Sequence, residues 1–134
     1  MAESTAIDLV VVGPIELRLP PVPALSRVLR LAASGIASLV GITVDKIEDI
    51  KIAVSEVLLA LIEHGAGEPV DVQFNVDRTL FTVRASTAAA TLDTSHPDLM
   101  MCRQVLAEVC ARHSVDLVGA NIEIIAVIDH QTTS

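Results

Sequence analysis

Three positions, each four residues from the next, carry the chemistry that first stands out in this chain. Glu56 supplies a carboxylate, His64 supplies an imidazole, and Ala60 lies midway between them. Residues four apart share one face of an α-helix. A carboxylate and an imidazole held on one helical face are typical of a catalytic helix, whereas the methyl group of Ala60 can neither donate, accept nor coordinate. The spacing therefore indicates either a catalytic helix or one that has lost a member.

A second cluster of reactive residues lies near the C-terminus. Cys110 and His113 are three residues apart, with Cys102 eight residues before Cys110. Zinc takes three or four protein ligands, commonly in tight pairs from separate segments, and only one weak pair is present. Eight residues of helix span about 12 Å, too far for a disulfide. We therefore predict no metal site and cysteines that belong to the core.

The charge of the chain restricts its partners. Nine Lys and Arg against seventeen Asp and Glu give a net charge of −8 over 134 residues. Such a chain repels phosphate backbones and anionic lipid, and the near absence of aromatic residues removes platforms for base stacking. We expect no direct binding to nucleic acid or membrane, and partners that are proteins.

The N-terminal sequence is not typical of an export signal. Glu3 stands where positive charge is needed, and Asp8 interrupts the short apolar run over 7–12. We expect a cytoplasmic protein with a loose tail over 1–6 and a single domain over 7–134.

The hydrophobic pattern predicts an α+β fold. Helical spacing begins at Pro23 and ends at Gly41, and a second helix begins after Thr43 and ends before Gly65. The other elements are strands over 15–19, 70–76, 80–85, 115–118 and 122–128, a third helix over 98–111, and one optional strand over 7–12. This order predicts a two-layer sandwich with a mainly antiparallel sheet and three helices on one face.

The first helix has an apolar stripe that should face the sheet. Its centre lies near Ala32 and Leu25, and Arg30 falls well away from it, nearer solvent. The stripe comprises Leu25, Val28, Leu29, Ala32, Ile36 and Leu39.

Residues 29–56, LRLAASGIASLVGITVDKIEDIKIAVSE, resemble a known family. The stretch is similar to anti-sigma factors of the RsbW type, which are serine kinases of the GHKL (Bergerat, histidine-kinase-like ATPase) fold. Their first helix carries a similar R-L-x-x-S-G-x-A-S run, and their second a run like I-E-D-x-K-I-A-V-S-E. The order of the predicted elements agrees with that fold as far as residue 86.

The resemblance assigns roles along the second helix. Glu56 matches the family's general base, and His64 with Gly65 matches its His-Gly pair. The asparagine that ligates Mg²⁺ in the family is Ala60 here, and a methyl group cannot coordinate a cation that requires oxygen ligands. Glu56 is therefore interpreted as a vestigial base.

Two further parts of the implied nucleotide site differ from the family. The Asp-x-Gly that receives the adenine amino group corresponds to Ser86, Thr87 and Ala88, and the glycine-rich lid that cradles phosphates corresponds to T-L-D-T-S-H-P, which has no glycine. We therefore expect no bound ATP or Mg²⁺ and a reduced lid.

A competing interpretation of T-L-D-T-S-H-P is the phosphorylatable loop of STAS-type anti-anti-sigma proteins, which reads like D-S-S-G before a helix. His96 replaces that glycine, and the two adjacent helices over 23–64 do not fit the STAS order of elements. Ser95 is better interpreted as the cap or pre-cap of the third helix, with Pro97 in its first turn.

The resemblance implies an anti-sigma-like regulator that acts by protein binding in the control of bacterial transcription, such as a stress response. Its partners would be a sigma factor, a STAS-type anti-sigma antagonist, or both, exchanged by partner switching. Arg30 falls on an arginine that the family uses to grip partner proteins, and the resemblance also implies a homodimer. One alternative is an active serine/threonine kinase that uses ATP and Mg²⁺ to phosphorylate its antagonist. Another is a structural partner of an active paralogue.

Overall fold

The fold is described over residues 12–131 by a computed structural model. The predicted tail over 1–6, and all but Val12 of the optional strand over 7–12, lie outside the described residues. The elements in chain order are β1 Val12–Leu19, α1 Ser26–Leu39, α2 Val44–His64, β2 Val70–Val76, β3 Leu80–Ala88, α3 Pro97–Val109, β4 Arg112–Val118 and β5 Asn121–Asp129, with a 3₁₀ turn at Pro23–Leu25 before α1. The predicted fold class and element order are confirmed.

The five strands form one antiparallel sheet in the order β1-β2-β3-β5-β4. Phe74 of β2 pairs with Val83 of β3, which in turn pairs with Ala126 of β5. Because side chains alternate between the faces of a strand, these three lie on the same face, and all three are buried. The other face of the sheet carries polar residues such as Arg18 and Asp71.

The core lies between that apolar face and α2, the middle helix of the helical layer. The helix α2 packs against α1 on one side and α3 on the other, and it contacts β2, β3 and β5 below. Leu58 and Leu61 have no exposed surface, and Phe74 and Phe81 meet with their ring centroids 5.8 Å apart. Burying an aliphatic side chain of this size contributes about 1.5–3 kcal/mol, so α2 is the main anchor of the layer.

The apolar stripe predicted for α1 is partly wrong. Leu29 and Ile36 are buried as expected, but Val28 and Leu39 are 46% and 45% exposed. Ala33 and Ala37 are fully buried instead. The reason is the close packing of α1 on α2, since small side chains at a helix contact allow the backbones to approach. The prediction relied on the larger aliphatic residues, so it placed the apolar stripe on a face that is rotated from the buried one.

The ends of several elements also differ from the prediction. The strand β3 continues to Ala88, which pairs with Asn121 of β5, although the sequence from 86 reads as loop. The strand β4 begins at Arg112 rather than at residue 115, and α3 ends at Val109. These residues take their conformation from pairing with a distant strand, which a local pattern does not contain.

Candidate functional site

Glu56, Ala60 and His64 line one cavity, as their spacing predicts. The cavity measures about 210 Å³ and lies between α2 and the first turns of α3. We call it the α2–α3 cavity. Its other lining residues are Leu59, Glu63, Asp98, Met101 and Cys102.

Carboxylates dominate the charge of the α2–α3 cavity. Glu56 and Glu63 on α2 face Asp98 on α3, and among the described residues no lysine or arginine lines the cavity. A hydrogen bond with the Asp98 carboxylate, followed by desolvation and repulsion from Asp98, raises the pKa of Glu63, while His64 and His96 act in the opposite direction. A raised carboxyl pKa next to a second carboxylate marks a place that disfavours further negative charge. The charge of the cavity therefore disfavours the binding of an anionic ligand.

His64 is the last residue of α2, where the helix dipole favours a positive charge. Its ring contacts the ring of His96 edge to face, with centroids 4.9 Å apart. The Nε2 atom of His64 is buried and has no hydrogen-bond partner among residues 12–131. His64 therefore joins the end of α2 to the residue just before α3.

Gly65 allows α2 and β3 to approach closely. A Cβ atom at this position would lie 2.6 Å from the carbonyl oxygen of Leu61 and 2.7 Å from the Cγ2 methyl of Thr87. Both distances are shorter than real side chains tolerate, so the contact requires glycine. The Thr87 hydroxyl is within hydrogen-bond distance of the Glu68 and Pro69 carbonyl oxygens, at 3.2 and 3.0 Å. The Thr87 hydroxyl therefore holds the segment that follows α2.

The structure does not bring Ser86 to the α2–α3 cavity. Ser86 pairs with Asp71 and Glu123 and lies on the polar face of the sheet, where it lines a separate groove of about 400 Å³. Since alternate residues of a strand point to opposite faces, Thr87 is the residue that points towards the helices, and it is only 4% exposed. Ser86, at the implied adenine position, is therefore on the face of the sheet away from the helices, and the adenine assignment itself stays a prediction. The sequence contained a sign of this orientation. Phe81, Val83 and Ala85 all face inward, and continuing that alternation makes Thr87 the next inward residue.

Arg30 lies on the opposite side of α2, in contact with its flank. Its Nη1 atom donates to the Ser26 hydroxyl at 3.1 Å and to the Ser55 hydroxyl at 3.0 Å. The side chain is half-buried, so the prediction that it lies nearer solvent is only partly right. Because Ser55 belongs to α2, Arg30 links α1 to α2, and its guanidinium has further N–H donors beyond those on Nη1.

Arg30 also lines a groove between α1 and α2, which we call the α1–α2 groove. One cavity of about 430 Å³ lies along α2, and a second of about 280 Å³ lies along α1. The lining residues of the two are Arg27, Arg30, Leu31, Ser34, Glu48, Lys51, Ile52, Ser55, Glu56 and Leu59. Leu31 is 74% exposed and Ile52 is 44% exposed. Three cations line the groove together with Glu48, which pairs with Lys51, and Glu56. Exposed apolar side chains among such polar groups are typical of a protein-binding surface.

Comparison with known proteins gives two extensive matches in sequence. Serine-protein kinase RsbW of Bacillus subtilis is 33% identical over 102 residues, which are 76% of this chain and 63% of that protein. Serine-protein kinase RsbW of Bacillus velezensis is 33% identical over 113 residues, 84% of this chain and 67% of that protein. The chain belongs to the RsbW family. The chain spans about two thirds of the length of these curated relatives. No protein-family model matches it.

The fold of this RsbW-family chain recurs in a solved structure. A chain in the crystal structure of the SiaB–SiaC complex from Pseudomonas aeruginosa superposes with a TM-score of 0.62 and 13% sequence identity. The superposition covers 85% of this chain and 89% of the other. At that identity the likeness concerns the fold alone, and it agrees with the two-layer architecture.

The cysteines of this RsbW-family member are buried in or beside the core. Cys102 is 4% exposed, and burial raises the pKa of its thiol to about 11. Burial likewise raises the pKa of Cys110 to about 12 and, with Arg103, lowers the pKa of His113. Within the described part of the chain, no group of three or more His, Cys, Asp or Glu residues could hold a metal ion.

The described helices differ from a membrane span in length or in hydropathy. Over residues 12–131, none is both long and apolar enough to cross a bilayer.

Proposed function

We propose that this chain is an anti-sigma-type regulator that acts by binding proteins and has little or no capacity to bind ATP. The observation that carries the proposal is Ala60, which lines the α2–α3 cavity and lies between Glu56 and His64 along one face of α2. The resemblance to the RsbW family implies a magnesium-ligating asparagine there. The amide oxygen that ligates Mg²⁺ in the family is therefore missing from α2, and a methyl group cannot replace it.

The charge of the α2–α3 cavity supports the same proposal. A nucleotide triphosphate is strongly anionic and needs cations or backbone N–H groups to hold it. Glu56, Glu63 and Asp98 line the cavity, and the loop over 89–96 that replaces the family's lid has no glycine. In this arrangement Glu56 has no metal-bound nucleotide on which to act as a base.

The proposed partners are a sigma factor, a STAS-type antagonist, or both in exchange. The α1–α2 groove supplies the contact surface, with Arg30 held by two serine hydroxyls beside the exposed Leu31 and Ile52. The protein would act by covering surfaces of the sigma factor that polymerase needs. The net charge of −8 complements the basic DNA-binding regions of a sigma factor and speeds their encounter. A homodimer is part of the same proposal.

One observation favours a second candidate, an active serine/threonine kinase that phosphorylates its antagonist. Glu56 retains the position of the general base, and its side chain lines the cavity. In that case ATP and Mg²⁺ would bind there despite the missing ligand.

Calorimetric titration with Mg-ATP separates the two candidates. We expect no saturable heat from this chain, with serine-protein kinase RsbW of Bacillus subtilis as the positive control. A dissociation constant in the low micromolar range would favour the kinase and end the non-catalytic proposal.

Purification from native cells tests the proposed partners. The tagged chain should recover a sigma factor or an antagonist. Recovery of only a paralogous kinase would instead favour the structural role, and light scattering that shows a monomer at tens of micromolar would remove the homodimer.

A further inference from the structure

The helix α3 begins with an imidazole as its cap. His96 is the N-cap residue, Pro97 follows it, and the Nδ1 atom of His96 accepts a hydrogen bond from the backbone N–H of Asp98 at 3.2 Å. The first amides of a helix have no partner within the helix, so a side-chain acceptor normally serves them. Serine, threonine, aspartate and asparagine are the usual residues here, and none of these changes charge near neutral pH. The cap of α3 is therefore unusual in being titratable.

The bond fixes which ring nitrogen carries the proton. To accept from the Asp98 amide, Nδ1 must be unprotonated, so the proton of the neutral ring is on Nε2. An imidazolium carries protons on both nitrogens and can only donate. Protonation of His96 therefore removes the cap of α3 outright.

The surroundings of His96 offer the protonated ring another partner. The Asp98 carboxylate lies 4.0 Å from Nδ1, so the same nitrogen that accepts from the Asp98 backbone can donate to the Asp98 side chain after a small rotation. Glu63 on α2 and Asp93 in the preceding loop add further negative charge that acts on the ring. Two features disfavour a positive charge on the His96 ring. They are the positive end of the α3 helix dipole and any positive charge on His64, whose ring centroid lies 4.9 Å away.

We propose that His96 is a pH-sensitive latch that holds the start of α3 against the end of α2. Its neutral ring caps α3 and packs on His64, and its charged ring turns to the Asp98 carboxylate and releases the first turn. Asp98, Met101 and Cys102 line the α2–α3 cavity from α3. Opening the latch therefore loosens one wall of that cavity, whether or not any nucleotide binds there.

Hydrogen exchange of a single amide tests the latch. The Asp98 N–H is bonded to the His96 ring and to no backbone carbonyl of its own helix, so its protection reports the cap alone. We expect the protection factor of this amide, corrected for intrinsic exchange, to fall at least tenfold between about pH 8 and about pH 5.5, the range in which imidazoles change charge.

Two variants keep the result specific to His96. In His96→Asn the side-chain oxygen caps without titrating, so the Asp98 amide should keep its protection across the same pH range. His64→Gln removes the neighbouring imidazole but leaves the cap, so the pH dependence should persist. An equal loss of protection in His96→Asn would overturn the proposal, as would a ring at about pH 8 whose nitrogen shifts place the proton on Nδ1.

Discussion

The two sides of α2 have opposite chemistry. Towards α1, Arg30 donates to Ser55 and exposed apolar side chains surround it. Towards α3, Glu56 and Glu63 face Asp98, and Ala60 leaves a methyl group in the middle of the wall. One helix thus presents a groove of mixed charge with an apolar rim on one flank and an acidic cavity on the other, and Glu56 and Leu59 line both.

Under the proposed function, this difference means that a single helix keeps one set of contacts after it has lost another. In that proposal, partner contact on the α1 side uses Arg30, an apolar rim and a fixed distance between α1 and α2, and none of these depends on a nucleotide. Nucleotide binding on the α3 side needs a metal ligand at position 60 and a lid that cradles phosphates. We therefore expect substitutions on the two flanks to have separable effects.

The largest effect is expected from Gly65→Ala, which acts on the α3 flank. The added Cβ meets the Leu61 carbonyl and the Thr87 methyl at distances below 3 Å, so the end of α2 must distort and β3 must move away from it. Overpacking of this kind costs about 1–3 kcal/mol of unfolding free energy, measurable by urea denaturation. Gly35→Ala is the matched control, because nothing lies within 4 Å of its Cβ position and alanine favours helix by about 1 kcal/mol. Equal stabilities of the two variants would show that the close approach at Gly65 is unimportant.

The next effect concerns Arg30→Ala on the α1 flank. We expect partner affinity to fall at least tenfold, about 1.4 kcal/mol, because arginine at an interface centre is often a dominant contact. Loss of the bonds to Ser26 and Ser55 should also lower the unfolding free energy by about 1 kcal/mol. Binding titrations and thermal melts, with the partner recovered from cells, measure the two quantities.

Arg27→Ala is the control for charge alone on that flank. Arg27 is exposed and lines the same groove, so its loss should lower affinity by less than that of Arg30. If the two variants bind equally, Arg30 has no special part in partner contact.

A smaller effect, on the pH dependence of stability, is expected from Glu63→Gln on the α3 flank. The hydrogen bond with Asp98 raises the pKa of Glu63, so this bond stabilises the fold at low pH, and the contribution is lost as pH rises through the folded-state pKa of Glu63. Glutamine can donate the same bond at any pH. The stability of Glu63→Gln relative to the unsubstituted chain should therefore increase from pH 4 to pH 7, as measured by urea denaturation. A difference that stays constant with pH would contradict the carboxyl–carboxylate bond.

No gain of catalysis is expected from Ala60→Asn. The variant restores one oxygen ligand, but the glycine-free loop and the acidic wall formed with Glu63 and Asp98 remain. Transfer of labelled phosphate from Mg-ATP to a purified antagonist measures the result. Activity in this single variant would mean that the acidic cavity still accepts a nucleotide.

The sequence was sufficient for features set by local periodicity. The order of the elements and the shared face of Glu56, Ala60 and His64 follow from helical and strand spacing, and the structure has both. Three features depend on packing between distant segments and were not predictable in this way. They are the bond from Arg30 to Ser55, the contact of His64 with His96, and the continuation of β3 that turns Ser86 away from the helices.

The low acidity of the buried Cys102 and the partly buried Cys110 has a consequence for how the protein responds to oxidants. Oxidants and alkylating agents attack the thiolate, and a thiol whose pKa is about 11 or about 12 is ionised in only about one molecule in ten thousand, or fewer, at pH 7. Peroxide should therefore leave Cys102 and Cys110 unmodified for as long as the chain stays folded. Modification of either sulfur would then be a chemical record of unfolding, and mass spectrometry of peroxide-treated cells could use it to count how often this domain opens.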